Sequence, residues 1–165
     1  RLHASRWNGR YPRHLWDGTE PFAVDFVLGA AMFVRGAAIG GSTRAAGALD
    51  PQFWMYCEEM DWCLRMHEAG WDVLAAPTVR VIHHEAQSSR QVRWRAWARL
   101  WQSRFRFYTK HRRRYPPGYL LVLRAVVRAG VAQERRAVAG QYARGQITGA
   151  AAKEAFDALA VVGRL

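Results

Sequence analysis

Three carboxylates crowd four consecutive positions of this chain. Glu58, Glu59 and Asp61 stand in the run Tyr56-Cys57-Glu58-Glu59-Met60-Asp61-Trp62-Cys63-Leu64-Arg65. Acids this close repel one another unless a metal, a cation or a shared proton intervenes. At the start of a helix, backbone N–H groups offset part of that repulsion. Glu58 and Asp61, three apart, share a helical face, and Arg65 follows Asp61 at the ion-pairing spacing i, i+4. Glu59 is turned by about 100° from Glu58 and faces whatever lies ahead of the helix. Two readings fit this pattern. One is a general base for an acceptor hydroxyl, positioned by its acidic neighbours; the other is a solvated, well-capped acidic helix start.

His83 closes the strand-like run Val79-Arg80-Val81-Ile82-His83, and His84 follows it. Strand alternation sends the two imidazoles to opposite sides, so at most one faces a site shared with the carboxylates. Neutral imidazole beside oxygen ligands suits Mn²⁺ or a related divalent ion, while a structural or solvated histidine is the plainer reading. His3, His14, His67 and His111 have no partner that the sequence identifies.

The elements that must position these groups are short. Residues 1–21 are rich in Arg, Trp, Gly and Pro without periodicity and read as a loop or linker. Residues 22–34 are apolar and β-branched, a buried strand broken near Gly29. Residues 36–47 suggest a short helix weakened by Gly40-Gly41-Ser42. Residues 58–69 predict a helix with acids in its first turn and Gly70 at its C-terminal cap. Residues 71–75 and 79–83 predict short strands separated by Pro77. After Gln87 the pattern changes. Trp94, Trp97, Trp101, Phe105 and Tyr108 recur every three or four residues, one face of a long helix ended by Pro116-Pro117. A shorter apolar helix over 119–131, a polar stretch, and a last helix capped by Thr148 complete the chain.

The 165 residues give room for one ordinary domain or part of a larger one. Half are apolar and 23% are charged, which excludes a disordered or fibrous chain. The net charge of +12 comes from 25 Lys and Arg against 13 Asp and Glu. Residues 86–133 contain no acid and hold twelve of those bases, so the rest of the chain is balanced. That distribution argues against a uniformly basic nucleic-acid coat and for a neutral part carrying one basic segment. Cys57 and Cys63 have no second pair to complete a zinc site, and free thiols in a reducing compartment are expected. No apolar run reaches the ~20 residues needed to span a bilayer.

Several short motifs then fall in order: Val24-Asp25-Phe26, Gly29-Ala30-Ala31-Met32, Gly47-Ala48-Leu49-Asp50, Phe53-Trp54-Met55-Tyr56, the acidic block, Ala69-Gly70-Trp71, Pro77 and Val81-Ile82-His83. Their order and spacing resemble the C-terminal half of the catalytic domain of family 2 glycosyltransferases, of the rhamnosyltransferase-like branch. The resemblance implies an α/β, partial GT-A (Rossmann-like) domain over 22–87, lacking its nucleotide-binding half, and a basic helical C-terminal extension over 88–165. It implies an inverting transfer of a sugar, rhamnose by the branch, from a nucleotide-sugar donor to a glycan or lipid-linked acceptor hydroxyl in cell-envelope polysaccharide synthesis. Glu59 falls on the position of the catalytic base, with Glu58 and Asp61 orienting it and Asp61 as the fallback base. Glu59 replaces the family's usual Asp, one methylene longer. His83 matches a strand-end histidine that completes a Mg²⁺ or Mn²⁺ site. Gly29 and Ala30 match a small-residue loop lining the substrate site, and Trp54, Tyr56 and Arg65 are its further candidates; the two aromatic rings either stack on a sugar or simply pack. The family's Asp-x-Asp half is not in this sequence, so the chain is expected to be a piece of the active enzyme.

The basic segment has three readings. Residues 90–130 suit the anionic surface of a membrane, which with the resemblance implies a cytoplasmic protein peripheral on the inner face of the cytoplasmic membrane. Nucleic-acid binding is the less favoured reading. In the third, the aromatic stripe packs on the α/β half and the arginines are merely solvated. The reading of a different class for the whole chain is a noncatalytic basic interaction module for an anionic membrane or nucleic acid.

Overall fold

The computed structural model describes residues 13–83 and 93–165. The chain divides into two compact units, one formed by Arg1–Gln52 with Glu58–His84 and the other by Phe53–Cys57 with Glu85–Leu165. The sequence boundary expected at residue 87 falls outside the described residues. The sequence reading did not foresee that five residues just ahead of the acidic block group with the helical unit.

The first unit begins with helix α1 (Arg13–Trp16) and strand β1 (Phe22–Ala23), and continues through helices α2 (Gly36–Ile39) and α3 (Glu58–Glu68) to strand β2 (Leu74–Ala75). The strands pair antiparallel, Phe22 opposite Ala75 and Ala23 opposite Leu74. A bond from Val24 N–H to the Val73 carbonyl, 2.9 Å, extends the pair by one step. The longer strands expected over 22–34 and 79–83 do not form. A strand exists only by pairing, and past Val24 the first stretch has no ladder partner among the described residues, nor has 79–83; Phe33 and Ile82 stand exposed. The helix expected over 36–47 stops at Ile39, where the glycines begin.

Helix α3 carries the core of this unit. Trp62, Cys63 and Met66 on its inner face pack with Val24, Val73 and Ala75. Its C-terminus closes as the sequence predicts, in a Schellman motif: Gly70, at φ 79°, donates to His67 and Trp71 donates to Met66, each at 2.9 Å. Glycine is required there because the backbone is left-handed.

The second unit comprises α4 (Arg93–Lys110), a 3₁₀ turn (Arg112–Arg114), α5 (Tyr119–Ala143) and α6 (Gly149–Gly163). Thr148 caps α6, its hydroxyl accepting from Ala151 N–H at 3.2 Å. Leu159 and Ala155 of α6 are fully buried against Val127, Val131 and Val138 of α5 and Phe105 of α4. Helix α5 runs twelve residues beyond its expected end at Val131. Residues 132–137, where the polar stretch suggested a break, are Ala, Gln, Glu and Arg, all good helix formers, and Val138 buries beyond them. Trp94, Trp97 and Trp101 are half-buried against this same cluster, with successive rings 6.0 and 6.4 Å apart. The aromatic stripe is therefore packed within the helical unit rather than displayed to solvent. The segment Phe53–Cys57 is tied to α4: Ser103 donates to the Met55 carbonyl at 2.6 Å, and Lys110 lies 5.5 Å over the Phe53 ring.

Candidate functional site

The acidic block occupies the first turn of α3, as its sequence predicts. The chain enters that turn through Tyr56 and Cys57, two successive non-glycine residues at φ 69° and 66°. Left-handed backbone of this kind costs on the order of 1–3 kcal/mol per residue and concentrates at functional sites. The three acids then separate by environment. Asp61 is fully buried and accepts from Arg65 Nε at 2.9 Å. Glu58 and Glu59 are half-buried, and the Oε2 atom of each is buried without a hydrogen-bond partner.

An orphaned buried carboxylate oxygen is costly and calls for an explanation. Burial pushes the Glu59 carboxyl above its ordinary value, its own backbone N–H pulls the other way, and the charge of Glu58 raises it further. One turn along α3, the Cys63 thiol is also pushed up, by burial first and in part by the charge of Glu59. The result is a carboxylate with a strengthened appetite for a proton and one free oxygen to take it.

Arg65 holds a different kind of site. Besides Asp61, its guanidinium donates to the Ala46 carbonyl and, at 2.8 Å, to the Ala48 carbonyl. Between them, Trp62 Nε1 donates to the Gly47 carbonyl at 2.7 Å. Three successive carbonyls of one loop are thus gripped by α3. Arg44 adds a second tie, donating from Nε to the Ala69 carbonyl at 3.0 Å while its own carbonyl accepts from Trp71 Nε1 at 2.7 Å. Arg65, expected to bind substrate, is committed to this clamp. Nothing in the sequence reading pointed to the clamp, because its acceptors are backbone carbonyls that any residue supplies.

His67, without an evident role in the sequence, lies with Nε2 3.2 Å from the carbonyls of both Val24 and Asp25. Two acceptors require that Nε2 carry the proton. This pins the chain after β1 to α3. Gly29 and Ala30 lie exposed on that chain. A side chain at Gly29 would meet nothing within 4 Å, so neither crowding nor backbone conformation requires glycine there. Trp54 is 72% exposed, with the Arg99 guanidinium 4.5 Å over its ring; it and Tyr56 belong to the helical unit.

His83 is exposed on an irregular segment, the end of the strand that does not form. Among the described residues, no group of three His, Cys, Asp or Glu side chains converges to hold a metal ion. His83 and Ala30 instead line a groove of about 680 Å³ in the first unit, whose walls are mainly Val24, Val27, Met32, Val34, Met66 and Val73. Its ionisable lining is limited to Arg35, Asp72 and His83, and none of the acidic block contributes.

With that geometry in place, relatives give the site a context. Over 87 residues, 48% of the chain, the sequence is 31% identical to N-acetylglucosaminyl-diphospho-decaprenol L-rhamnosyltransferase of Mycobacterium tuberculosis, in each of two strains. The likeness is to a glycosyltransferase. It spans 27% of the relative's length, and so supports a glycosyltransferase-like chain without fixing the reaction. No family model matches the chain. No solved structure matches it.

Proposed function

We propose that this chain carries the acceptor-activating part of an inverting glycosyltransferase of GT-A type, with Glu59 as general base. The observation that carries the reading is the Glu59 carboxylate: half-buried in the first turn of α3, raised in proton affinity by burial and by Glu58, with Oε2 left unpaired. The glycosyltransferase likeness supplies the reaction class. In the transfer, Glu59 removes the proton of the acceptor hydroxyl as its oxygen forms the new bond to the anomeric carbon. The bond from that carbon to the nucleoside diphosphate breaks, and the diphosphate leaves with the electron pair. Glu58 keeps the base poised through its charge. Asp61 acts through Arg65 as a positioning residue, fixing the loop that α3 grips. The relative's name joins rhamnose to a lipid-diphosphate-linked N-acetylglucosamine, and a nucleotide-activated rhamnose with a lipid-linked glycan acceptor is the pair we assign here.

The test is nucleoside diphosphate release by the full-length protein with nucleotide sugars and acceptor. Glu59→Gln should lower kcat by at least ~100-fold, the usual worth of a general base, while donor affinity changes less than about two-fold. Wild-type turnover in that variant would remove Glu59 from the role.

A further inference from the structure

Helix α5 has two apolar faces. Val127, Val131 and Val138 point into the helical unit and are buried. On the opposite side, Leu121, Val122 and Val126 are 68, 65 and 64% exposed. At 100° per residue these three, with Ala125 and Ala129, centre about 180° from the buried stripe. The outward stripe runs a little over two turns, from Leu121 to Ala129. Globular proteins rarely leave such a stripe bare without a use for it.

Its surroundings indicate what covers it. The stripe begins just after Pro116-Pro117, and ahead of the prolines lies the exposed 3₁₀ turn with Arg112 and Arg113. Arg128, also exposed, borders the stripe. No acid occurs within residues 86–133. The turn is held in one geometry: Tyr115 and Tyr119 stack across the prolines with centroids 4.6 Å apart, and Tyr108 of α4 meets both, at 5.3 and 5.6 Å. The arginines and the apolar stripe are therefore carried on one fixed corner of the helical unit.

We infer that this corner, the 3₁₀ turn and the first two turns of α5, docks on an anionic lipid bilayer. Leu121, Val122 and Val126 enter the headgroup–acyl boundary, and Arg112, Arg113 and Arg128 meet lipid phosphates. This is how a short amphipathic surface binds a membrane without spanning it, and no helix among the described residues is long and apolar enough to cross one. The tryptophan stripe of α4, for which membrane contact and packing were both open from the sequence, packs against the core of the helical unit. The inference does not depend on the transferase reading.

Sedimentation of the full chain with vesicles of phosphatidylcholine alone, or with phosphatidylglycerol, tests it. Binding is expected only to the anionic vesicles. Arg112→Gln with Arg113→Gln should weaken it roughly 30-fold, at about five-fold for each arginine near the surface. Leu121→Ser with Val126→Ser, both exposed positions, should weaken it while circular dichroism stays unchanged. Equal binding to neutral vesicles, or binding indifferent to the Leu121 and Val126 changes, would overturn the inference. So would a concentration-dependent dimer abolished by Leu121→Ser, which would make the stripe an interface between copies. Retention on nucleic acid with none on anionic vesicles would overturn it as well.

Discussion

Removing the Arg65 side chain should destabilise the first unit far more than an ordinary surface substitution. Arg65→Ala takes the cation from Asp61, a fully buried carboxylate. Breaking such a pair by deleting one partner costs about 3–5 kcal/mol. Asp61 has further interactions, which sets this part near the lower end, at about 3 kcal/mol. The Ala46 and Ala48 carbonyls also lose charged donors, but they gain water, and add about 1 kcal/mol. The expected total is about 4 kcal/mol. Arg65→Lys keeps the charge but not the planar fork, so it should lose only about half of that. Asp61→Asn placed on Arg65→Ala removes the buried charge that has lost its guanidinium and should recover about 2 kcal/mol, a non-additivity that a double-mutant cycle reads directly. Urea unfolding followed by the fluorescence of Trp62 and Trp71, both in this unit, is the assay. A loss under about 1 kcal/mol for Arg65→Ala, with additive behaviour in the cycle, would refute the clamp. Substrate affinity falling in its place would return Arg65 to the binding role that the sequence suggested.

Two further outcomes follow from burial. The folded-state carboxyl of Glu59 titrates above its unfolded value of 4.5, so its contribution to stability is complete below that pH and is lost as pH rises through the folded value. Glu59→Gln should therefore raise the melting temperature at pH 7, with the gain shrinking toward pH 4, while the acidic limb of wild-type transfer lies above pH 4.5; a variant less stable at neutral pH would contradict this. In the helical unit, Leu159→Ala empties a fully buried site and should cost about 2–5 kcal/mol by denaturant titration, a smaller loss meaning that α5 and α6 close over the gap.

What the sequence disclosed was local. The acidic first turn and Gly70 frame α3 because capping is chemistry between neighbours in the chain, and Thr148 marks α6 for the same reason. The aromatic spacing of α4 was readable as a face, though not what the face would meet. Distant pairing was not readable. Residues 79–83 have strand composition, yet a ladder needs a second strand at the right place. The end of α5 was misjudged because Gln133, Glu134, Arg135 and Arg136 signal solvent as readily as a break. At the candidate site, the three acids and Arg65 were visible as types, but not their division into a buried ion pair and two half-buried, partly orphaned carboxylates. That division depends on the carbonyls of residues 46–48, and a carbonyl has no sequence signature.

The bond from Ser103 to the Met55 carbonyl spans 48 positions, and this bears on the order in which the molecule matures during synthesis. At about 5–20 residues per second, several seconds separate the making of Met55 from the making of its anchor. Until α4 exists, the Met55 carbonyl lacks this donor, and the segment leading into the left-handed pair Tyr56 and Cys57 lacks that anchor. The entry to the acidic turn is written early in the chain and anchored late, so a lesion that slows α4 would be felt at Met55, far from it in sequence.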